Sequence, residues 1–322
     1  MATAPAEKRV LPFLYLCSSQ FSGSTLSAFI LNTHPGVATV GHMTGWKFAA
    51  DEDFRCSCGE PLQTCPFYNS VSEAFAKHEL PFDFRDFGTG YRLHADDRIN
   101  RLLTGAVLRM QSSAVEGARD RLVNLVPAWK RRIATTNLAN VTFTQAALAW
   151  GKAEVFLDNS QDPYRLRYLA AIPQLSLRSL HLVRDPRGTS LSMMNHAGWD
   201  AELSARQWLR RQTDIARIAA EASDSLLVHY ETLCEDTDAE LRRIHEFAGL
   251  TPHPFDGDFK AGEHHVLGNT MRFRGGEIKL DERWKRELRP EDRRAVERVL
   301  NKFRSSRPTH SMSEVIAHYL DS

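Results

Sequence analysis

No stretch of the 322-residue chain is long and apolar enough to cross a bilayer. The run Val10–Cys17 near the start is too short for a span and for most signal-peptide cores, and no small-residue cleavage site follows it. A charge excess is also missing, because Lys plus Arg total 41 and Asp plus Glu total 40. That balance gives no overall pull toward nucleic acid or an anionic membrane, so any polyanionic ligand must be met by a local cluster. No internal repeat and no low-complexity segment is present. Cysteines number five, and two of them, Cys17 and Cys234, lie in or near apolar segments as packed, reduced residues. What remains is ordinary for a globular protein: 42% hydrophobic and 25% charged residues, enough for a sizeable core. The expectation is a soluble, cytoplasmic protein with no integral membrane segment.

Along the chain, Val10–Cys17 reads as a buried strand. A run of small residues, Ser18 to Thr25, follows it. Leu26, Phe29, Ile30 and Leu31 then form an apolar face at helical spacing, and Val37–Gly41 reads as a second strand. Strand, small-residue turn, helix, strand is the opening of a parallel α/β sheet. Residues 44–150 break that rhythm with a Cys/Gly/Pro-rich stretch and helices expected near Asp96–Met110 and Ala139–Trp150; they read as a helical insertion over the sheet edge. Strands return at Glu154–Leu157, followed by Asp162-Pro163 and a helix, at Leu180–Val183, followed by Asp185-Pro186 and another helix, and at Leu226–His229. Helices are expected at Ser204–Ala222, with arginines on its polar face, and at Asp238–Ala248, Glu291–Phe303 and Ser313–Leu320.

The most informative loop is Ser18–Thr25. It joins a buried strand to a helix, carries Gly23 where the backbone must turn closely, and offers the hydroxyls of Ser19, Ser22, Ser24 and Thr25. A helix N-terminus presents free N–H groups and a positive dipole end, which suits a phosphate-like anion. The nucleoside-triphosphate loop G-x-x-x-x-G-K-[ST] is not matched, since no lysine precedes Ser24. By itself the segment reads equally as an ordinary serine-rich helix cap.

A second segment, His181-Leu182-Val183-Arg184-Asp185-Pro186-Arg187-Gly188-Thr189-Ser190-Leu191-Ser192, resembles the 3′-phosphate-binding motif of sulfotransferases. In that motif a strand-end arginine, here Arg184, is followed eight residues later by a serine, here Ser192. Arginine can supply charge and serine a hydrogen bond to one phosphate. Beside it, Ser18–Thr25 resembles the family's 5′-phosphosulfate loop, with Ser19, Phe21, Ser22, Gly23, Ser24 and Thr25 at the binding positions. Thr33-His34-Pro35, Val40-Gly41, Tyr230-Glu231-Thr232-Leu233 and Phe247-Ala248-Gly249-Leu250 are similar to family segments as well. The likeness runs over roughly Leu14–Val40 and Glu154–Trp284 and is closest to bacterial members of the carbohydrate and tyrosylprotein type.

The resemblance implies a three-layer, P-loop-like α/β fold over 1–322, with a central parallel β-sheet flanked by helices and the insertion 44–150 within it. It implies 3′-phosphoadenosine 5′-phosphosulfate as co-substrate, no metal for transfer, and a small-molecule, carbohydrate, lipid or peptide acceptor. Arg272 and Arg274 in the late basic loop are expected over the 3′-phosphate. Sulfuryl transfer needs positioned partners, a stabilised leaving phosphate and a proton acceptor. His42 follows Gly41 where tyrosylprotein-type enzymes carry their catalytic glutamate, so it is the candidate base, with His265 and Glu263 as alternatives. Two positions depart from the family: Phe21 stands where a basic residue is usual, and Gln161 where a lysine is frequent. Arg187, Arg165 and Lys47 are the cations that could compensate. The competing readings are a catalytically weak nucleotide-binding protein of the same fold, and a P-loop kinase or phosphatase with Asp158 as its magnesium ligand.

Cys56, Cys58 and Cys65 are clustered as C-x-C-G plus C. Such thiolates could take zinc with His42 or His78 as a fourth ligand, or close a disulfide, which a cytosolic compartment disfavours. The spacing is not that of a zinc ribbon. The segment is read as a structural knot of the insertion, and no metal is assigned to the site.

Overall fold

A computed structural model describes residues 10–43, 54–106, 112–260, 265–267 and 277–321. Its first elements are β1 (Leu11–Ser18), α1 (Ser24–Leu31) and β2 (Val37–Thr39). The insertion contributes α2 (Pro66–Lys77), α3 (Asp97–Thr104), α4 (Ser113–Leu125) and α5 (Pro127–Gly151). Then come β3 (Val155–Gln161), α6 (Pro163–Ala170), β4 (Leu175–Val183), α7 (Pro186–Ala197), α8 (Ala201–Ala222) and β5 (Asp224–His229). The chain continues through α9 (Tyr230–Glu235), α10 (Thr237–Ala248), α11 (Trp284–Glu287), α12 (Pro290–Ser306) and α13 (Ser311–Leu320).

The five strands are parallel and ordered β2-β3-β1-β4-β5. β1 is the central strand, and seven of its eight residues are buried, as a strand covered on both faces must be. Alternation along it divides the core. Phe13, Tyr15 and Cys17 point into one apolar cluster, and Leu14 and Leu16 into the other. The first cluster includes Cys56, Leu62, Phe67, Tyr68, Phe75 and Phe87, so the insertion is built into the same core as the sheet. The second packs under α1, α9 and α10, with Phe29, Leu233, Leu241 and Ile244. A third joins α8 to the C-terminal helices through Trp208, Val296, Leu300 and Ile316. Each such side chain, fully buried, contributes about 1.5–3 kcal/mol.

The order of strands positions the site. From β1 the chain moves to β2, returns with β3 beside β1, and then crosses to β4 on the other flank. A crevice opens outside the carboxyl ends of the strands at such a reversal. The loops after β1, β3 and β4 therefore meet there. The turns after β3 and β4 are built alike: Asp162-Pro163 and Asp185-Pro186 start α6 and α7, each aspartate capping its helix and each proline at the first helical position.

Four helices, α2, α4 and the short α9 and α11, appear where the sequence showed none, and α5 begins well before its expected start at Ala139. The apolar residues of α5 are spread around its long axis, so its first half carries no clear stripe. The other strands and helices lie within a few residues of their expected limits, and α3 stops at Thr104, before Gly105. No helix among the described residues is long and apolar enough to cross a membrane.

Candidate active site

The β1–α1 loop is held by its own small side chains. Ser19 and Ser22 are fully buried, and their hydroxyls share a hydrogen bond of 2.6 Å. Gly23 lies in the left-handed region at φ +83°, and a Cβ there would sit 2.4 Å from Cδ2 of Tyr230. Only glycine fits both the turn and the ring. Among the described residues no side chain caps α1, so the amides of its first turn and its dipole are directed into the crevice. Phe21 is also left-handed, at φ 60°, and its ring stacks on His196 at 5.1 Å. Strained non-glycine backbone of this kind persists where the surroundings impose it.

Arg184 leaves the end of β4 and reaches this loop. Its guanidinium donates to the carbonyl of Phe21 at 2.9 Å and to that of Asp281 at 2.8 Å, with the Asp281 carboxylate at 3.0 Å. It lies over the ring of Tyr230, 4.8 Å from the centroid. Its Nε is buried and has no partner among the described residues, an uncommon state for a buried donor. Arg283 and Arg184 hold the Asp281 carboxyl well below the usual carboxylate range. The first turn of α7 packs against Arg184, since a Cβ on Gly188 would come within 3.4 Å of the guanidinium. Ser192 lies one turn further along α7, and its hydroxyl donates to the Gly188 carbonyl at 3.1 Å. Arg184 thus bonds the Ser19–Thr25 loop and packs against the turn of α7 that precedes Ser192.

The third wall is the end of β3. Gln161 is left-handed, at φ 66°, and its amide donates to the Ser24 hydroxyl at 2.5 Å. Asn159 donates to the Ser24 carbonyl at 2.8 Å. Beside Gln161 opens a cavity of about 510 Å³ whose lining includes Gln20, His42, Tyr91, Arg92, Tyr168 and Arg211. Burial pushes the His42 imidazole down to about 4, the charge of Asp158 opposing it in part. His42 is therefore neutral near pH 7.

Two suggested compensating cations are committed elsewhere. Arg187 is bound by Asp185 at 2.7 Å, donates to the Tyr319 carbonyl at 2.7 Å, and stacks over Trp284 at 4.1 Å. It joins α7 to the C-terminal helices instead of facing a ligand. Arg165 is buried against Asp158 at 2.9 Å and bonds Asn140 at 2.6 Å, tying the insertion to β3. The other Asp158 oxygen accepts from Ser160, so both of its oxygens are engaged and the magnesium role fails. Arg211 was missed: it contacts the Gln161 carbonyl and Asp162 at 3.4 Å from α8. Its only signal was the arginine-rich polar face of that helix. Lys47, Glu263, Arg272 and Arg274 lie outside the described residues.

Residues 73–254 match the model of the sulfotransferase family, more than half of the chain. The chain belongs to the sulfotransferase family. Among solved structures it is similar to the sulfotransferase domain of the Synechococcus PCC 7002 olefin synthase, at 17% identity and a TM-score of 0.51, covering 92% of this chain and 98% of that one. That likeness extends to the fold. The sulfotransferase domain from the curacin biosynthetic pathway matches at 15% identity and a TM-score of 0.47, over 90% of this chain and 98% of that one. No curated protein gives a significant sequence match. The matched region of this sulfotransferase contains Arg184 and Ser192 but not the β1–α1 loop, which is joined to them through Arg184.

Proposed function

We propose that this sulfotransferase moves a sulfuryl group from 3′-phosphoadenosine 5′-phosphosulfate to a hydroxyl or amine of an acceptor bound beside His42. The observation that carries the reading is the hydrogen bond from Arg184 to the Phe21 carbonyl, which joins the two phosphate motifs into one crevice. The residues fit the donor. Arg184, whose buried Nε has no partner among the described residues, and Ser192 would hold the 3′-phosphate. The amides of the first turn of α1, with the Ser24 and Thr25 hydroxyls, would hold the 5′-phosphosulfate.

In the transfer the acceptor oxygen or nitrogen attacks sulfur in line, and the bond from sulfur to the bridging oxygen breaks. The electron pair stays on the 5′-phosphate. His42, neutral through burial, takes the acceptor proton. The N-terminus of α1 and the Gln161 amide meet the charge that develops on the leaving phosphate. The cavity lined by Tyr91, Arg92 and Arg211 would receive the acceptor, with aromatic faces and positive charge to orient it.

Calorimetric titration with 3′-phosphoadenosine 5′-phosphate tests the donor site. Micromolar binding in the wild type, lost in Arg184→Ala and much tighter than ATP binding, is the expected result. Absence of binding, or equal preference for ATP, overturns the reading. Tight binding with no turnover on any acceptor would favour the alternative of a nucleotide-binding protein, for which the neutral Gln161 is the supporting feature.

A further inference from the structure

The insertion and the segment before the late basic loop meet at four side chains that the sulfuryl transfer does not use. The Cys58 and Cys65 sulfurs are 3.8 Å apart. Nδ1 of His265 lies 3.5 Å from the Cys56 sulfur and 3.3 Å from that of Cys65. All four ligand atoms fall within 4.8 Å of one another. A tetrahedral zinc with bonds of about 2.3 Å to sulfur and 2.0–2.1 Å to nitrogen spaces its ligands about 3.5–3.8 Å apart. The cluster approaches that shape, whereas a disulfide would need its sulfurs at about 2.05 Å. None of the three cysteines is in a disulfide.

The surroundings are those of a built site. Cys56 and Cys58 lie on a tight turn, in which Gly59 donates to the Cys56 carbonyl and Cys56 to that of Glu60, both at 2.9 Å. The backbone N–H of Cys58 is directed at the Cys56 sulfur, and that of Glu60 at the Cys58 sulfur. Cys65 is the N-cap of α2, where the helix dipole favours a thiolate. The His265 ring stacks on Phe67 at 4.8 Å, and the Tyr68 hydroxyl donates to its carbonyl at 2.9 Å. Ring orientation fixed in this way is what a metal-binding imidazole requires.

We propose that Cys56, Cys58, Cys65 and His265 bind one structural zinc ion as a closed tetrahedral site. Neither His42 nor His78, the histidines suggested by the sequence, is the fourth ligand. The protein supplies all four positions, so no coordination site is left for a substrate. On binding, the thiols release their protons to solvent and the imidazole enters neutral. The ion would fasten two segments about 200 residues apart. Beyond His265, Leu267 donates to the Val40 carbonyl at 2.7 Å and bridges to Gly41, where a Cβ would sit 2.2 Å from the Leu267 carbonyl oxygen. Zinc at the insertion is thereby linked to the backbone that carries His42.

The test is the metal content of the full chain, purified under reducing conditions and passed through gel filtration, followed by titration with Co²⁺. One zinc per chain is expected, together with the absorption of a thiolate-ligated tetrahedral Co²⁺. Cys58 is exposed, so Cys58→Ser should fold, and its zinc affinity against a competing chelator should fall on the order of a hundredfold. His265→Asn should lose the ion as well. Reduced protein that binds neither Zn²⁺ nor Co²⁺, or variants that hold them as tightly as wild type, overturn the proposal. So does a Cys58–Cys65 disulfide in metal-free protein. The readout does not depend on turnover, so its failure is distinct from failure of the sulfuryl-transfer reading.

Discussion

Arg184 and Phe21, 163 positions apart, are joined by a hydrogen bond of 2.9 Å from guanidinium to carbonyl. The same guanidinium holds Asp281, so one side chain gathers the loop after β1, the end of β4 and the approach to α11. Lysine keeps the charge but not the fork of donors. Arg184→Lys should weaken binding of 3′-phosphoadenosine 5′-phosphate about tenfold, the equivalent of one charged hydrogen bond. Calorimetry would show this, and a smaller loss than in Arg184→Ala would separate geometry from charge.

Gly23 faces the Tyr230 ring, with no room for a methyl group and a left-handed backbone. Gly23→Ala should cost about 1–3 kcal/mol of stability. It should also weaken nucleotide binding more than about tenfold, since the loop must shift to admit the methyl group. Urea unfolding and calorimetry on one preparation check both effects.

His42 tests the chemistry apart from binding. His42→Gln should lower kcat by about 10²–10⁴-fold and leave nucleotide affinity close to wild type. Because burial holds the imidazole near 4, the acid limb of the rate profile should fall near that value and not near about 6.5. A limb at the ordinary histidine value would remove His42 from the role.

Gln161 offers a neutral donor to Ser24, where the leaving phosphate would gather charge. Gln161→Lys places a cation there and should tighten 3′-phosphoadenosine 5′-phosphate binding several-fold at low salt, with the gain shrinking as salt rises. An unchanged affinity would show that Arg211 or another cation already supplies that charge.

Four histidines, His42, His181, His229 and His245, are held near 4 by burial. In the unfolded chain they titrate at about 6.5. Above that pH neither state takes up the protons. As pH falls, the unfolded state binds protons that the folded state refuses, so stability drains away between about 6.5 and about 4. Denaturation midpoints should fall through that window. His181→Gln, which removes a ring bonded to Gln212 at 2.6 Å, should make the slope shallower by one proton.

Much of the framework was legible because its signals are local. A parallel strand covered on both faces is a short apolar run, and Asp-Pro after a strand starts a helix, so β1, β4, α6 and α7 could be read directly. The insertion was less legible. Its helix α2 faces the core through Phe67, Tyr68, Val71 and Phe75, but the mixed neighbouring sequence hides the stripe. The fates of single charges could not be read at all. Arg187 and Arg165 looked available as cations, yet each has a buried carboxylate partner, Asp185 for one and Asp158 for the other. Which partner an arginine finds depends on where its element packs.

By itself the sequence determined the parallel strands and the capped helices that follow them, because strand periodicity and helix caps are properties of neighbouring residues, and the spacing within Ser18–Thr25 and Arg184–Ser192 carried the resemblance to sulfotransferases. Tertiary structure alone decided that Arg184 closes onto Phe21, that Gln161 meets Ser24, and that His265 completes the three cysteines. Each of those pairings joins residues over a hundred positions apart, brought within hydrogen-bond or ligand distance only when the strands assemble and the insertion folds over them.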